Sequence, residues 1–595
     1  MGILCEIMKV LLVAVNAKYI HSNLAIYSLK ANSGVYESQI QLMEYSINQY
    51  PEEIFRDLYQ QKADVVCFSC YIWNIGIVEQ VAGWLYQVAP QIHIWFGGPE
   101  VSFDVKERLQ RCAFLEGVMY GEGEDTFRDM MAVWNGDQEI CRVQGIGYRH
   151  DSTKYADESG DADAVICMQP PRDFVDMSRL NFVYTKPENF KNKIIYYETS
   201  RGCPFQCSYC LSSVEKKVRF RDIELVKSEL QQFIDWEIPQ VKFVDRTFNC
   251  KREHSMAILK FIKAQDKGKT NFHFEVTADL LTEEELEFMA TLRPGLIQLE
   301  IGVQSTCPET LKEIRRYVSF EKLSNVVKRI HEGHNIHQHL DLIAGLPFED
   351  LKRFKRSFND VYALKPEQFQ LGFLKVLKGS YMRERALDYG LIYRPEPPYE
   401  IMATKWLSYD ELLILKGVEE MVEVYYNSRQ FENSLDWLEK KFDTAFDMYH
   451  AIACWYEEQN FNGISHSRMA RYEILLKFVK TLFNIEETLV FEQILTYDLY
   501  LRENVKSRPS WASKQDPYTA SYVEFFRKEE NREKYFKGYE HYTTKQIQRM
   551  THIERFDFNI LAKDEEDVKR PVFVWFDYLN RDPLTYKSRN LEVEL

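Results

Sequence analysis

Residues 193–210 read KIIYYETSRGCPFQCSYC, an apolar stretch that runs straight into three cysteines, Cys203, Cys207 and Cys210. The first half has the β-branched and aromatic residues of a buried strand, while Gly202 and Pro204 make the second half a loop. The pattern then repeats downstream. QVKFVD, NFHFEVTAD, LIQLEIGVQS, IHQHLDLIAGLP and QFQLGFLKVL read as strands, with helical segments such as 223–236, 282–292 and 320–333 between them. Six strand–helix units in succession predict a partial (β/α)6 barrel, whose chemistry lies at the C-terminal strand ends. The cysteine loop follows the first of those strands.

Closely spaced thiolates bind soft metals, either zinc or an iron–sulfur cluster. A structural zinc site takes four ligands, usually from two C-x-x-C knuckles. No second knuckle follows here, and the histidines of HEGHNIHQH (331–339) are far downstream and read as a solvated turn. Three thiolates suit a cubane cluster with one iron left open. Three unrelated core cysteines would not share a Gly–Pro loop.

Upstream, KVLLVAV, DVVCFSC, HIWFGG and GVMYG are strand candidates separated by helical pieces at 51–61, 75–88 and 125–133. Continuous apolar strands alternating with helices predict a parallel, doubly wound, Rossmann-like sheet. The fold class is therefore α/β. Residues 1–140 form the Rossmann-like domain, 141–192 a linker with a hairpin, 193–395 the barrel and 396–595 a mostly α-helical domain. Within the last, HIERFDFNIL and RPVFVWFDYL suggest a short hairpin. Cys67 and Cys70, at the end of a buried strand, read as core.

The 595 residues carry 45% hydrophobic content, enough for several cores, and a net charge of −15 that argues against a nucleic-acid partner. No apolar run is long enough to span a membrane. The first residues include Glu6 and no basic cluster, so the start reads as a strand and not a signal peptide, and a cytoplasmic location is expected.

Cys203-x-x-x-Cys207-x-x-Cys210, with Tyr209 before the last cysteine and the loop after a first barrel strand, resembles the radical S-adenosylmethionine superfamily. The resemblance implies a 4Fe–4S cluster held by these cysteines as metal ligands, with S-adenosylmethionine chelating the fourth iron. It also implies reductive cleavage to a 5′-deoxyadenosyl radical, and so an electron donor such as flavodoxin or ferredoxin. FEVTADLLTEEEL, LEIGVQS, LKEIRRYVSFE and HLDLIAGLP resemble further strand ends and loops of the branch that includes oxygen-independent coproporphyrinogen oxidases. They imply Glu275 beside the cofactor, Gln304, Arg316 (with Arg315 as the adjacent alternative) on its carboxylate, and Asp341 on its ribose. Asp245 and Asn249 in FVDRTFN are site-lining.

The N-terminal order of strand–Ser69, strand–Gly97–Gly98 and strand–Gly–Glu122–Gly123–Glu looks like the cobalamin-binding domain that precedes the barrel in many radical enzymes. It implies cobalamin. The base-off motif Asp-x-His-x-x-Gly is missing, and His21 does not stand in its context. The implied activity is methyl transfer to, or rearrangement of, an unactivated carbon of a small-molecule or peptide substrate. Two alternatives remain open at this point: a haem or corrinoid chaperone, and an RNA methylthiotransferase. The latter needs N-terminal cluster cysteines and a C-terminal β-barrel that the sequence does not show.

Overall fold

The computed structural model describes residues 8–150, 165–190, 193–512, 518–562 and 570–595. The first seven residues and the Asp- and Gly-rich part of the 141–192 linker at 151–164 lie outside the described residues.

Strands β1 (Val10–Asn16), β2 (Ile40–Ser46), β3 (Val65–Ser69), β4 (His93–Gly97), β5 (Gly117–Met119), β6 (Ile146–His150) and β7 (Val165–Met168) form one sheet in the order β2-β1-β3-β4-β5-β6-β7. The first five are parallel and the last two antiparallel. β1 reads VLLVAVN and is buried along its whole length, because separate apolar clusters cover the two sheet faces. The order reverses between β2-β1 and β3-β4-β5, the switch point at which doubly wound sheets bind ligands. The hairpin expected in the linker is β6–β7, and it pairs with the free edge of β5. The N-terminal sheet thus continues beyond residue 140, since an unpaired β5 edge would leave its backbone groups exposed.

Strands β8 (Ile195–Tyr197), β9 (Gln240–Phe243), β10 (Asn271–Val276), β11 (Ile297–Gln304), β12 (His337–Ala344) and β13 (Gln368–Phe373) make a parallel sheet in which each pairs with its sequence neighbour. β8 and β13 do not pair with each other, so the barrel is open. In β11, Ile297, Leu299, Ile301 and Val303 are buried, while Gln298, Glu300, Gly302 and Gln304 alternate onto the other face. Residues two apart share a face. The same alternation brings Lys242, His273, Glu275, Glu300, His339 and Asp341 into a polar lumen. HEGHNIHQH therefore divides: His331 and His334 belong to a helix end and turn, whereas His337 and His339 are strand residues and His339 is buried. Expecting a turn throughout missed the period-two pattern that starts at His337.

The C-terminal region is mainly helical, with long helices at Tyr409–Met421, Ala445–Glu458, Arg468–Leu482 and Ile485–Arg502. It shares one core with the barrel. Asn427 covers part of the open barrel edge: its Oδ1 accepts from Phe369 N and its Nδ2 donates to Phe369 O, both at 2.9 Å. The expected hairpin is the pair β14 (Thr551–Phe556) and β15 (Val572–Arg581), to which β16 (Ser588–Val593) adds a third strand.

Candidate functional site

The cysteine loop is closed at its base by Ser200–Arg201, which pair antiparallel with Arg219–Phe220. Gly202 has φ +90°, and a Cβ there would meet Lys217 O at 2.4 Å, so only glycine passes. Cys203 and Cys207 are buried, and Cys210 is half-buried. Ser208 anchors the loop on both sides, its N donating to Ile314 O at 3.0 Å and its carbonyl accepting from Met382 N at 2.8 Å. Beneath it Asp245 is buried and accepts from Thr199 N at 3.0 Å, Thr199 Oγ1 at 2.7 Å and the Ser200 hydroxyl. Asn249 bridges both backbone groups of Thr277. These two lining residues tie strand ends together.

The thiols share one electrostatic space. Burial pushes the Cys207 thiol up, Arg316 pulls it down, and neighbouring Cys210 and Cys203 add an upward push. Arg316 Nη1 lies 3.9 Å from Cys207 Sγ, and Nη2 donates to the carbonyl of Gly302. Arg315 is turned away, stacked 3.8 Å from the ring centre of Tyr381. Gln304 has φ +70°, a conformation rare outside glycine. Its side chain folds back over Gly302, where a Cβ would meet Gln304 Nε2 at 2.3 Å. Strain of this kind collects at functional sites.

Arg316 Nε and Gln304 Oε1 are buried without a hydrogen-bond partner among the described residues, and Asp341 Oδ1 has only His339 Nε2 near it, at 3.0 Å and out of hydrogen-bond alignment. Buried polar atoms are normally paired, so these unsatisfied groups on β11, on β12 and on the loop that sets Arg316 beside Cys207 describe a site shaped for a polar ligand. Their types suit S-adenosylmethionine: a guanidinium for a carboxylate, and an amide and a carboxylate as acceptors for hydroxyls.

Deeper in the lumen, Lys242 Nζ donates to Glu300 Oε2 at 3.0 Å, and His273 Nε2 lies 3.1 Å from the same oxygen. Burial raises the Glu300 carboxyl, but His273 and Lys242 outweigh it and hold the group at about 2. Glu275 has no such partner among the described residues. Burial pushes it up to about 7, with Glu300 adding to the effect and Arg246 and Lys242 opposing it.

The strand ends of the N-terminal sheet face this mouth. Ser69 closes β3 and Gly97 closes β4, side by side in register. Gly98 has φ +111°, and a Cβ there would meet Cys70 O at 2.6 Å, so the chain itself requires this glycine. Gly121 (φ +78°) has nothing within 4 Å of an added Cβ and leaves its side open. Tyr71 and Trp73, beyond β3, stack with ring centres 4.3 Å apart, and Tyr71 feels Arg246 and Glu198 of the barrel. Sequence reasoning passed over this aromatic pair, although both rings stand in the loop CYIWN. Glu122 accepts from Arg201 and Arg219 and from Val175 N, and after Gly123 the helix begins with Glu124, which also binds Arg201. Lys378 donates to Glu100 at 2.9 Å and to Asp104 at 2.7 Å. His21 is hydrogen-bonded through Nδ1 to Tyr196 and bridges to Ile194. Three latches therefore hold the sheet's C-terminal edge over the barrel. Cys67 and Cys70 are buried core thiols.

Comparison with known proteins agrees with this geometry. Residues 10–130 match the B12 binding domain family, residues 197–361 the Radical SAM superfamily, and residues 387–576 a family described as Protein of unknown function (DUF4080). The chain is 22% identical over 65% of its length to a 2-(S-pantetheinyl)-carbapenam-3-carboxylate methyltransferase of Streptantibioticus cattleyicolor, covering 60% of that protein. It is 23% identical over 56% of its length to the cobalamin-dependent radical SAM methyltransferase TokK of Streptomyces tokunonensis, covering 50% of it. The chain thus spans between half and two thirds of the length of these relatives. The solved structure of the cobalamin-dependent S-adenosylmethionine radical enzyme OxsB with aqua-cobalamin superposes with a TM-score of 0.56 at 16% identity, over 83% of this chain and 80% of that one. The cofactors that go with these domains are a 4Fe–4S cluster, S-adenosylmethionine and cobalamin. No helix among the described residues is long and apolar enough to cross a membrane.

Proposed function

We propose that this member of the radical S-adenosylmethionine superfamily, with a B12-binding domain before its barrel and a DUF4080 region after it, is an enzyme that transfers a methyl group to an unactivated carbon. The observation that carries the reading is the pair of unsatisfied buried atoms on Gln304 and Arg316, with Asp341 on the adjoining strand and Arg316 beside Cys207. Cys203, Cys207 and Cys210 hold the cluster. Arg316 pairs with the carboxylate of S-adenosylmethionine, Gln304 and Asp341 accept from its ribose, and Glu275 faces its positive end. Ser69, Gly97, Gly98, Glu122 and Gly123 line the cobalamin side. Bound together, these cofactors supply one-electron hydrogen abstraction and a methyl donor suited to a carbon radical. The chain orients them through the latches between sheet and barrel. The substrate is a small molecule or a peptide, and a flavodoxin or ferredoxin supplies electrons.

The test is anaerobic reconstitution with iron, sulfide and hydroxocobalamin, followed by reduction with S-adenosylmethionine. Formation of 5′-deoxyadenosine together with a retained corrinoid supports the reading. A chain that binds both cofactors yet releases no 5′-deoxyadenosine overturns it in favour of a carrier.

A further inference from the structure

The lumen face of β12 carries His337, His339 and Asp341 in alternation. His339 is only 7% exposed. Its Nε2 lies 3.0 Å from Asp341 Oδ1, an ion-pair distance without hydrogen-bond alignment, and neither atom has a hydrogen bond among the described residues. The contact between the two is therefore one of charge. Around them stand Lys242 on β9, His273 and Glu275 on β10, and Glu300 on β11. Glu300 is already engaged by Lys242 at 3.0 Å and by His273 at 3.1 Å. Glu300, His339 and Asp341 bring ligand atoms within 4.8 Å of one another. The Lys242 ammonium beside Glu300, however, puts a fixed positive charge where a metal ion would otherwise lie.

We propose that His339 is a positioning residue for S-adenosylmethionine: its imidazolium holds the Asp341 carboxylate ionised and turned toward the ribose hydroxyls. This rests on the reading of Asp341 as the ribose acceptor. A carboxylate buried among Glu300 and Glu275 needs a counter-charge, or it takes up a proton and loses an acceptor. Burial leaves Asp341 raised overall, with His339 its chief opponent, while burial lowers His339 but Asp341 and Glu300 raise it overall. Loss of His339 would therefore remove the main influence that keeps Asp341 ionised.

The experiment is S-adenosylmethionine binding to the reconstituted full chain, read from the change it causes in the electron paramagnetic resonance of the reduced cluster. His339→Ala should weaken binding on the order of tenfold at about pH 6, with iron content unchanged. The loss should shrink as the pH is raised, because Asp341 then ionises without help. His339→Gln, a neutral donor, should lose less. Asp341→Asn should lose affinity at every pH. An equal loss at all pH values in His339→Ala would mark a packing role and overturn the proposal, as would no loss at all. If Asp341→Asn itself binds like the unaltered chain, the ribose assignment fails and this inference goes with it.

Discussion

Glu124 Oε1 accepts from Arg201 Nη2 at 2.7 Å, joining the first turn of the helix after β5 to the residue two places before Cys203. Arg201 also donates to Glu198 and Glu122, and both the arginine and Glu124 are almost withdrawn from water. The B12-binding domain thus grips the base of the cysteine loop directly.

Removing Arg201 takes the counter-charge from Glu124 and Glu198, whereas Arg201 without Glu124 keeps Glu198 and Glu122. Arg201→Gln should cost about 3 kcal/mol in chemical denaturation and Glu124→Gln about 1 kcal/mol, with the double variant below the sum. Burial pushes the Glu124 carboxyl up, but Arg201 outweighs it and the folded value lies below the unfolded 4.5. The contribution is therefore complete above that pH and is lost as pH falls through the folded value. Equal denaturation midpoints for Glu124→Gln and the unaltered chain would show that the latch is inert.

Cys203, Cys207 and Cys210 predict about four irons per reconstituted chain and the brown thiolate-to-iron absorption. Triple replacement by alanine should abolish both, along with 5′-deoxyadenosine formation. The remaining core does not use these thiols, so thermal unfolding of the cofactor-free chain should change little. Retention of iron and absorption by the triple variant would remove the cluster from this loop.

The β/α alternation and the cysteine loop were legible because buried parallel strands such as VLLVAVN and a Gly–Pro turn leave local marks. The lumen was harder to read. IQLEIGVQ and HQHLDLIA carry the alternation, but only the pairing of these two strands in register sets Glu300 beside His339, with Asp341 two residues on. The Glu124–Arg201 latch spans 77 residues and leaves no local trace. Nothing local in WFGGPE announces that Gly98 is also fixed by a distant contact, the Cys70 carbonyl standing where its Cβ would lie. The edge-covering Asn427 is one polar residue just past a helix end, and nothing in its neighbours marks Phe369 as its partner.

A corrinoid bound at the edge of β1, β3, β4 and β5 should show no histidine on the lower face of its cobalt. His21, the histidine of the β1 loop, gives its Nδ1 to the Tyr196 hydroxyl and is fixed through its backbone by the bridge to Ile194. The spectrum should therefore be base-off, and His21→Ala should leave it unchanged while loosening the contact between the domains. Substitution at Gly98 makes a poor probe, since any side chain strikes Cys70. Gly121→Ala is also strained at φ +78° but faces open space, so it tests corrinoid retention with less damage to the sheet. A base-on spectrum lost in His21→Ala would refute this arrangement.

Glu275 links the lumen's charge balance to cofactor binding. Its carboxyl is pushed up to about 7, chiefly by burial, from 4.5. The folded chain therefore binds more protons than the unfolded one between these values, and stability present below 4.5 declines as pH rises to about 7. The loss amounts to about 3 kcal/mol. Glu275→Gln cannot ionise, so the cofactor-free variant should be the more stable chain at about pH 8 and lose its advantage at about pH 5, as denaturant titrations at both values would show. S-adenosylmethionine brings a sulfonium and an ammonium. If its positive end lies against Glu275, binding must favour the ionised carboxylate and expel a proton near neutral pH. Calorimetry in two buffers of different ionisation enthalpy should detect that proton in the unaltered chain and miss it in Glu275→Gln. Identical proton release from the two proteins would place the cofactor's charge elsewhere in the barrel.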